Sequence, residues 1–246
     1  MTEVLYAVAE GVATITLNAP ERRNAFTAPM VRELIEACAA ADADESVGAV
    51  VVRAEGESFC AGAHRDTLAE AGRDPARPDN FRGLGLTYNA FVRVGELLAP
   101  SIAAVRGHAV GAGVNLMLAT DVRIVAETAR VMTGFLRIGI HPGGGHFALL
   151  GRLAGREAAA AMSLFGEEVS GRRAAELGLA WAAVPEAEVE DRALELARRA
   201  ARDPELARAA ARSMRLELGP PAVSWPAALE LEKAVQMWSL RRKSPE

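Results

Sequence analysis

Ser101-Ile102-Ala103-Ala104-Val105-Arg106-Gly107-His108-Ala109-Val110-Gly111-Ala112-Gly113 is the stretch that decides the architecture of this 246-residue chain. Its first five residues form a short apolar run, the pattern of a parallel strand buried on both faces. Arg106-Gly107 ends that run. Gly111-Ala112-Gly113 then leads into a helix over Val114 to Ala119, followed by a strand at Val122-Arg123-Ile124-Val125. Working back toward the N-terminus, Gly48 to Ala54 is a second buried run rich in valine, and it too is followed by a segment that holds small residues, Phe59-Cys60-Ala61-Gly62-Ala63. Strand, helix, strand thus recur at intervals of roughly 50 residues, which predicts an α/β fold of stacked units.

The flanks add to this frame. Val4 to Ala9 and Val12 to Leu17 surround Glu10-Gly11 and predict a hairpin. Thr27 can cap a helix from Ala28 to about Ala41, with Met30, Leu34, Ile35 and Cys38 on one face. Ala71 to Arg82, polar and punctuated by Gly72, Pro75 and Pro78, reads as a mobile loop, and Phe81 to Leu98 has helical spacing. Beyond about Glu186 the pattern is helical: Glu188 to Ala201, Pro204 to Leu216 and Val223 to Arg241, with breaks at Asp203-Pro204 and Gly219-Pro220-Pro221. The expected division is a core over 1–186 and a helical region over 187–246.

Composition narrows the function. Half of the residues are hydrophobic and 24% are charged, the balance of a globular protein, and the net charge of −4 does not suit a nucleic-acid or anionic-membrane surface. Lys233 and Lys243 are the only lysines, so there is no Gly-Lys-Ser/Thr phosphate loop and almost no candidate for a Schiff base. Cys38 and Cys60 are read as reduced thiols. Lacking an apolar run of about 18 residues or a leader-like start, the chain is expected to be cytoplasmic, with no membrane partner.

The two glycine segments carry the chemistry. Each follows a buried strand and holds small residues whose backbone amides can face a cavity, and glycine allows close approach of a ligand to the backbone. A helix begins at the second, so its N-terminal amides favour a developing negative charge. Two amides converging on one oxygen would make an oxyanion hole; ordinary tight strand-to-helix turns would use the same residues. Gly107, Gly111 and Gly113 do not have Gly-x-Gly-x-x-Gly spacing, which argues against a dinucleotide site. No Gly-x-Ser-x-Gly elbow is present.

Taken in order, Pro20-Glu21-Arg22-Arg23-Asn24-Ala25, Ser58 to Ala63 and Gly107 to Gly113 resemble the enoyl-CoA hydratase/isomerase (crotonase) family. Asp121, Pro142-Gly143-Gly144-Gly145 and Ala174 to Leu179 extend the likeness over essentially the whole chain. The resemblance implies a crotonase-like spiral of β-β-α units with a C-terminal helical trimerisation region, assembling as a homotrimer or dimer of trimers. It implies an acyl-CoA substrate and no cofactor other than the coenzyme A that the substrate carries. By position, Ala63 and Ala112 would donate the two N–H groups to the thioester oxygen, with Ala61, Gly62 and Gly111 beside them. Arg22, Arg23 and Ala25 fall where the family holds the nucleotide and pantetheine, and arginine suits phosphate.

The departures bear on the reaction. Where hydratases carry two glutamates that hold and activate water, this chain has Asn115 and Phe135. Neither can exchange a proton near neutral pH, so a glutamate-pair hydration is not expected. His141 and His146 bracket the Pro142–Gly145 run, which in the family lies beside the reacting end of the acyl group, and histidine suits acid–base work. The expectation is therefore that His141 or His146 moves protons, Asn115 orients substrate or water, Phe135 and Gly143 line the acyl pocket, and His64 stands at its rim, where the family commonly has aspartate. The histidine pair lacks a carboxylate to complete a metal site, and none is expected. Hydration or isomerisation is the family's reaction; an enolate-stabilising decarboxylase, a C–C lyase and a non-catalytic acyl-CoA-binding protein are the alternatives.

Overall fold

The computed structural model describes residues 2–218 and 224–241. The expected break at Gly219-Pro220-Pro221, the expected helix start at Val223, and Lys243 lie outside them. The chain opens with a hairpin, β1 (Val4–Ala9) and β2 (Val12–Leu17), paired from Val4 with Leu17 to Ala9 with Val12. Helix α1 (Ala28–Ala43) follows, its first turn capped by the Thr27 hydroxyl, which accepts from the Met30 N–H at 3.2 Å. Met30, Leu34 and Cys38 are fully buried, as their spacing predicts.

Three strand pairs then build the body: β3 (Ala49–Ala54) with β4 (Ser58–Cys60), β5 (Ser101–Val105) with β6 (His108–Val110), and β7 (Val122–Ala126) with β8 (Arg130–Met132). The first strand of each pair joins a six-stranded sheet and the second a four-stranded one. The larger sheet runs β1-β2-β3-β5-β7-β10 and the smaller β4-β6-β8-β9, with β9 (Val169–Ser170) and β10 (Ala182–Val184) closing the two edges. Each pair therefore turns a corner from one sheet to the other, and helices fill the interval before the next pair. This is the expected spiral of β-β-α units.

Those helices are α2 (Arg65–Arg73) and α3 (Pro78–Gly95) after β4, α4 (Ala112–Ala119) after β6, and α5 (His146–Leu164) after β8. The loop expected over Ala71 to Arg82 is a correction: all but a short connection at 74–77 is helical. Pro78 sits in the first turn of α3, where its missing N–H leaves no bond unmade. The Asn80 amide donates to the carbonyls of Asp74 at 2.9 Å and Glu70 at 3.3 Å, tying α3 to the end of α2.

After α6 (Gly171–Glu176) come α7 (Val189–Ala200), α8 (Pro204–Glu217) and α9 (Trp225–Arg241). The region expected to be helical from residue 187 carries these last three helices, and they pack on the strands and helices before them. Helix α7 lies on β3, β5 and β7, with Val189, Ala193 and Ala197 fully buried, and Glu190 pairs with Arg53 and, at 3.0 Å, with Arg106. Arg208 of α8 donates to the carbonyls of Ala41, Asp42 and Val47 at 2.9–3.0 Å, closing off the end of α1. Helix α9 packs along α2 and α3. Both cysteines are buried thiols, and burial pushes each up to about 12. No helix among the described residues is long and apolar enough to cross a membrane.

Candidate active site

The turn after β6 and the helix it opens set the site. Gly111 has φ +54° and ψ −116°, so the chain reverses sharply into α4. Gly113 packs so closely on β4 that a Cβ there would overlap the Cys60 carbonyl. The first turn of α4 is thereby pressed against the segment that follows β4, and a Cβ on Gly62 would lie 3.3 Å from the Ala112 nitrogen.

Both segments present an unused amide. Gly62 accepts from the Phe26 N–H at 2.7 Å and His64 donates to the Phe26 carbonyl at 3.0 Å, a parallel bridge that turns the N–H of Ala63, between them, the opposite way. Ala112 is the first residue of α4, where no helical acceptor exists. Neither N–H has a protein acceptor among the described residues, and both residues line one cavity of about 730 Å³. Two donors so placed can hold a single oxygen that carries negative charge.

The mouth of this cavity is cationic. Asn24, fully buried with φ +53°, accepts from Ala19 N–H and donates to the carbonyls of Glu55 and Ser58, all within 2.9 Å, and so holds the Pro20–Ala25 segment against β4. Arg22, Arg23 and Ala25 thereby reach the cavity wall. Arg22 is engaged by Glu3 at 2.7 Å and Glu21 at 3.0 Å. Arg23 is exposed and makes no ion pair among the described residues, and neither does Arg65, which joins it on the wall from the start of α2.

The inner wall is mostly apolar. Leu84, Phe135, Ile138 and Ile140 line it, with Thr87, Tyr88 and Thr133 adding hydroxyl groups. Phe135 is 7% exposed, and its ring edge stands 3.7 Å from where a Cβ of Gly111 would be. From α9, Gln236 packs its amide on Gly143 and accepts from the Tyr88 hydroxyl.

Behind this wall lies a neutral polar pair. Asn115, 1% exposed, donates from Nδ2 to the Gly143 carbonyl at 2.9 Å, which fixes its amide orientation. Its Oδ1 therefore faces His146 Nδ1 at 2.6 Å, so the imidazole must carry its proton on Nδ1. Burial pushes the His146 pKa down to about 3, and the ring packs edge-on to Phe135 at 4.9 Å.

A family model described as enoyl-CoA hydratase/isomerase matches residues 7–236 of this chain. The chain belongs to the enoyl-CoA hydratase/isomerase family. A probable enoyl-CoA hydratase of Mycobacterium tuberculosis is 44% identical over 177 residues, 72% of this chain and 68% of that protein. A 1,2-epoxyphenylacetyl-CoA isomerase of Escherichia coli is 36% identical over 207 residues, 83% of this chain and 78% of that one. Among solved structures, an enoyl-CoA hydratase/isomerase from Xanthobacter autotrophicus superposes with a TM-score of 0.87 at 34% identity, covering 98% of this chain and 90% of that one.

Within this family member, the residues singled out in the sequence divide into two groups. Arg22, Arg23, Ala25, Ala61, Gly62, Ala63, His64, Gly111, Ala112, Phe135 and Gly143 meet on the wall of one cavity. Asn115, His141 and His146 do not line it. The proton-moving role expected of His146 meets a buried, neutral ring whose Nδ1 proton is committed to Asn115. His141 is half-buried, and its Nδ1 donates to the Pro142 carbonyl at 2.6 Å. Arg65, Tyr88 and Gln236 were missed. Tyr88 shares a face with Leu84 and Phe91 at helical spacing, and Gln236 is a polar residue on the Lys233–Met237–Leu240 stripe of α9; both signals are visible in the sequence.

Proposed function

We propose that this protein binds an acyl-CoA thioester with its nucleotide end at the arginine-lined mouth and polarises the carbonyl between the N–H groups of Ala63 and Ala112. The observation that carries the reading is that these two amides, without an acceptor among the described residues, belong to adjoining segments of one cavity wall. Negative charge that develops on the thioester oxygen as an α-proton leaves would be held there. Loss of one such donor typically costs about 3–4 kcal/mol of transition-state stabilisation.

The walls favour proton transfer at carbon over hydration. Hydration of an enoyl thioester requires a water held and activated by acid–base groups. Here Phe135 occupies one of the two expected positions, and at the other Asn115 is turned into a closed network with His146 and Gly143. An isomerase-type reaction needs the enolate and one proton carrier.

A direct test compares butyryl-CoA with S-butyl-CoA, which lacks the carbonyl oxygen. Calorimetry should show the thioester binding at least about tenfold more tightly, and equal affinities would remove the proposed carbonyl site. In turnover assays a 3-enoyl-CoA should be converted faster than crotonyl-CoA is hydrated. The second reading, a binding protein without chemistry, is favoured by the neutral Asn115–His146 pair. Tight thioester binding with neither substrate converted would select it.

The family's trimeric assembly is proposed here too. Leu98, Leu206, Met214 and Leu218 are exposed on and beside α8, an apolar surface suited to a second copy. Sedimentation equilibrium should give a multiple of 26.0 kDa, and a monomer at micromolar concentration would count against it.

A further inference from the structure

Of the four histidines, His64 alone lines the cavity. It directly follows Ala63, and its side chain is 30% exposed. We propose that His64 is the proton carrier of the site, taking the α-proton of the bound acyl group and returning it. This inference rests on the thioester reading above.

The geometry around Nδ1 carries the argument. Nδ1 accepts from the Asp66 backbone N–H at 3.3 Å, and the Asp66 carboxylate lies 3.7 Å from the same nitrogen. When Nδ1 bears no proton, it has a donor to face. When it bears one, it has a carboxylate to face. Nε2 has no protein partner among the described residues, so it can alternate between lone pair and N–H at little cost in the rest of the network. His146 has the opposite arrangement, since Asn115 can only accept at its Nδ1 and burial holds it neutral.

The step balances without a cofactor. It starts from the neutral tautomer with its proton on Nδ1, facing the Asp66 carboxylate, so that Nε2 holds a lone pair. The α C–H bond breaks, its proton passes to Nε2, and the electron pair delocalises into the enolate, placing negative charge on the oxygen beside the Ala63 and Ala112 N–H groups. The imidazolium, its Nδ1–H directed at Asp66, then returns a proton to carbon. In D₂O the imidazolium exchanges with solvent, and a deuteron is returned instead. The charged and titratable groups that line the cavity with His64 are Glu21, Arg22 and Arg23 from the segment before α1, Arg65 and Asp66 from α2, and Tyr88 from α3, and Asp66 is the one in contact with the ring. The cations among them favour the enolate.

The test is deuterium wash-in at the α-carbon of butyryl-CoA, read by mass spectrometry. His64→Asn keeps an oxygen that can cap α2, so folding is preserved while the proton carrier is lost. The expected result is exchange by the wild type, and a loss of about 100-fold or more at saturating ligand in the variant, with Kd unchanged. The wild-type rate should follow a single ionisation limb with pH that is missing from the residual rate of the variant. Asp66→Asn should slow exchange less than His64→Asn does. Equal exchange in wild type and His64→Asn would overturn the proposal, as would a defect confined to Kd. Absence of wild-type exchange would overturn it too, while carbonyl-dependent butyryl-CoA binding would leave the thioester reading standing.

Discussion

His146 lies outside the cavity lining, yet its burial bears on stability. Its burial depresses its pKa from the ordinary 6.5 to about 3, so the folded protein refuses a proton that the unfolded chain accepts. Above the ordinary value both states are neutral, and the group contributes nothing to pH dependence. As pH falls below it, the unfolded state binds the proton first, and stability drops by about 1.4 kcal/mol per pH unit until the folded pKa is passed. The denaturant midpoint of the wild type should therefore fall between about pH 6 and pH 4 more steeply than that of His146→Gln, which cannot titrate. Parallel curves would show that the ring is already protonated in the folded state. The same residue marks a limit of sequence reading. Asn115 and Phe135 identify themselves as departures from a glutamate pair, yet only the fold shows that Asn115 turns toward His146 and the Gly143 carbonyl.

Among the elements, α8 depends on two arginines that reach backbone carbonyls. Arg208 serves the end of α1, and Arg215 donates to Asp121, whose carboxylate also accepts from the Ser101 N–H at 2.8 Å. The Asp121 that helps the sequence resemble its family is thus a clamp on the start of β5. Arg208→Ala should lower stability by about 2–3 kcal/mol, because three or more charge-assisted hydrogen bonds are lost and helix-end carbonyls are left unpaired. Arg208→Lys should recover only part of that, since an ammonium cannot reproduce the guanidinium fork. A chemical denaturation series with an unchanged m-value is the measurement, and a loss below about 0.5 kcal/mol would mean water replaces the contacts. The longer strands were legible here because valine runs and the Glu10-Gly11 turn signal them, whereas β4, β6, β8, β9 and β10, two or three residues each, carry too little pattern to read. The α2–α3 pair was not, since Gly72, Pro75 and Pro78 each signal a break and the helix-start role of Pro78 shows only once Asn80 ties the two helices together.

For the molecule as a whole, the spiral brings the unused amides of Ala63 and Ala112, which come from separate repeats, to one cavity wall. Glycine spacing marked the two segments that meet at the cavity, and the family likeness pointed to Ala63, Ala112, Phe135 and Gly143 on its wall, whereas Tyr88 and Gln236 arrive on helices whose seating depends on everything else. The spiral also gives the chain a built-in reporter. Cys60 lies beneath Gly113, with its carbonyl against the first turn of α4, while Cys38 sits in α1. Each thiol is shielded and protonated in the closed protein, so an alkylating reagent can mark either one only during an opening event. The two labelling rates would time the breathing of the site and of its scaffold separately, and a ligand that slows only the first would reveal that binding tightens the junction between repeats without stiffening the rest.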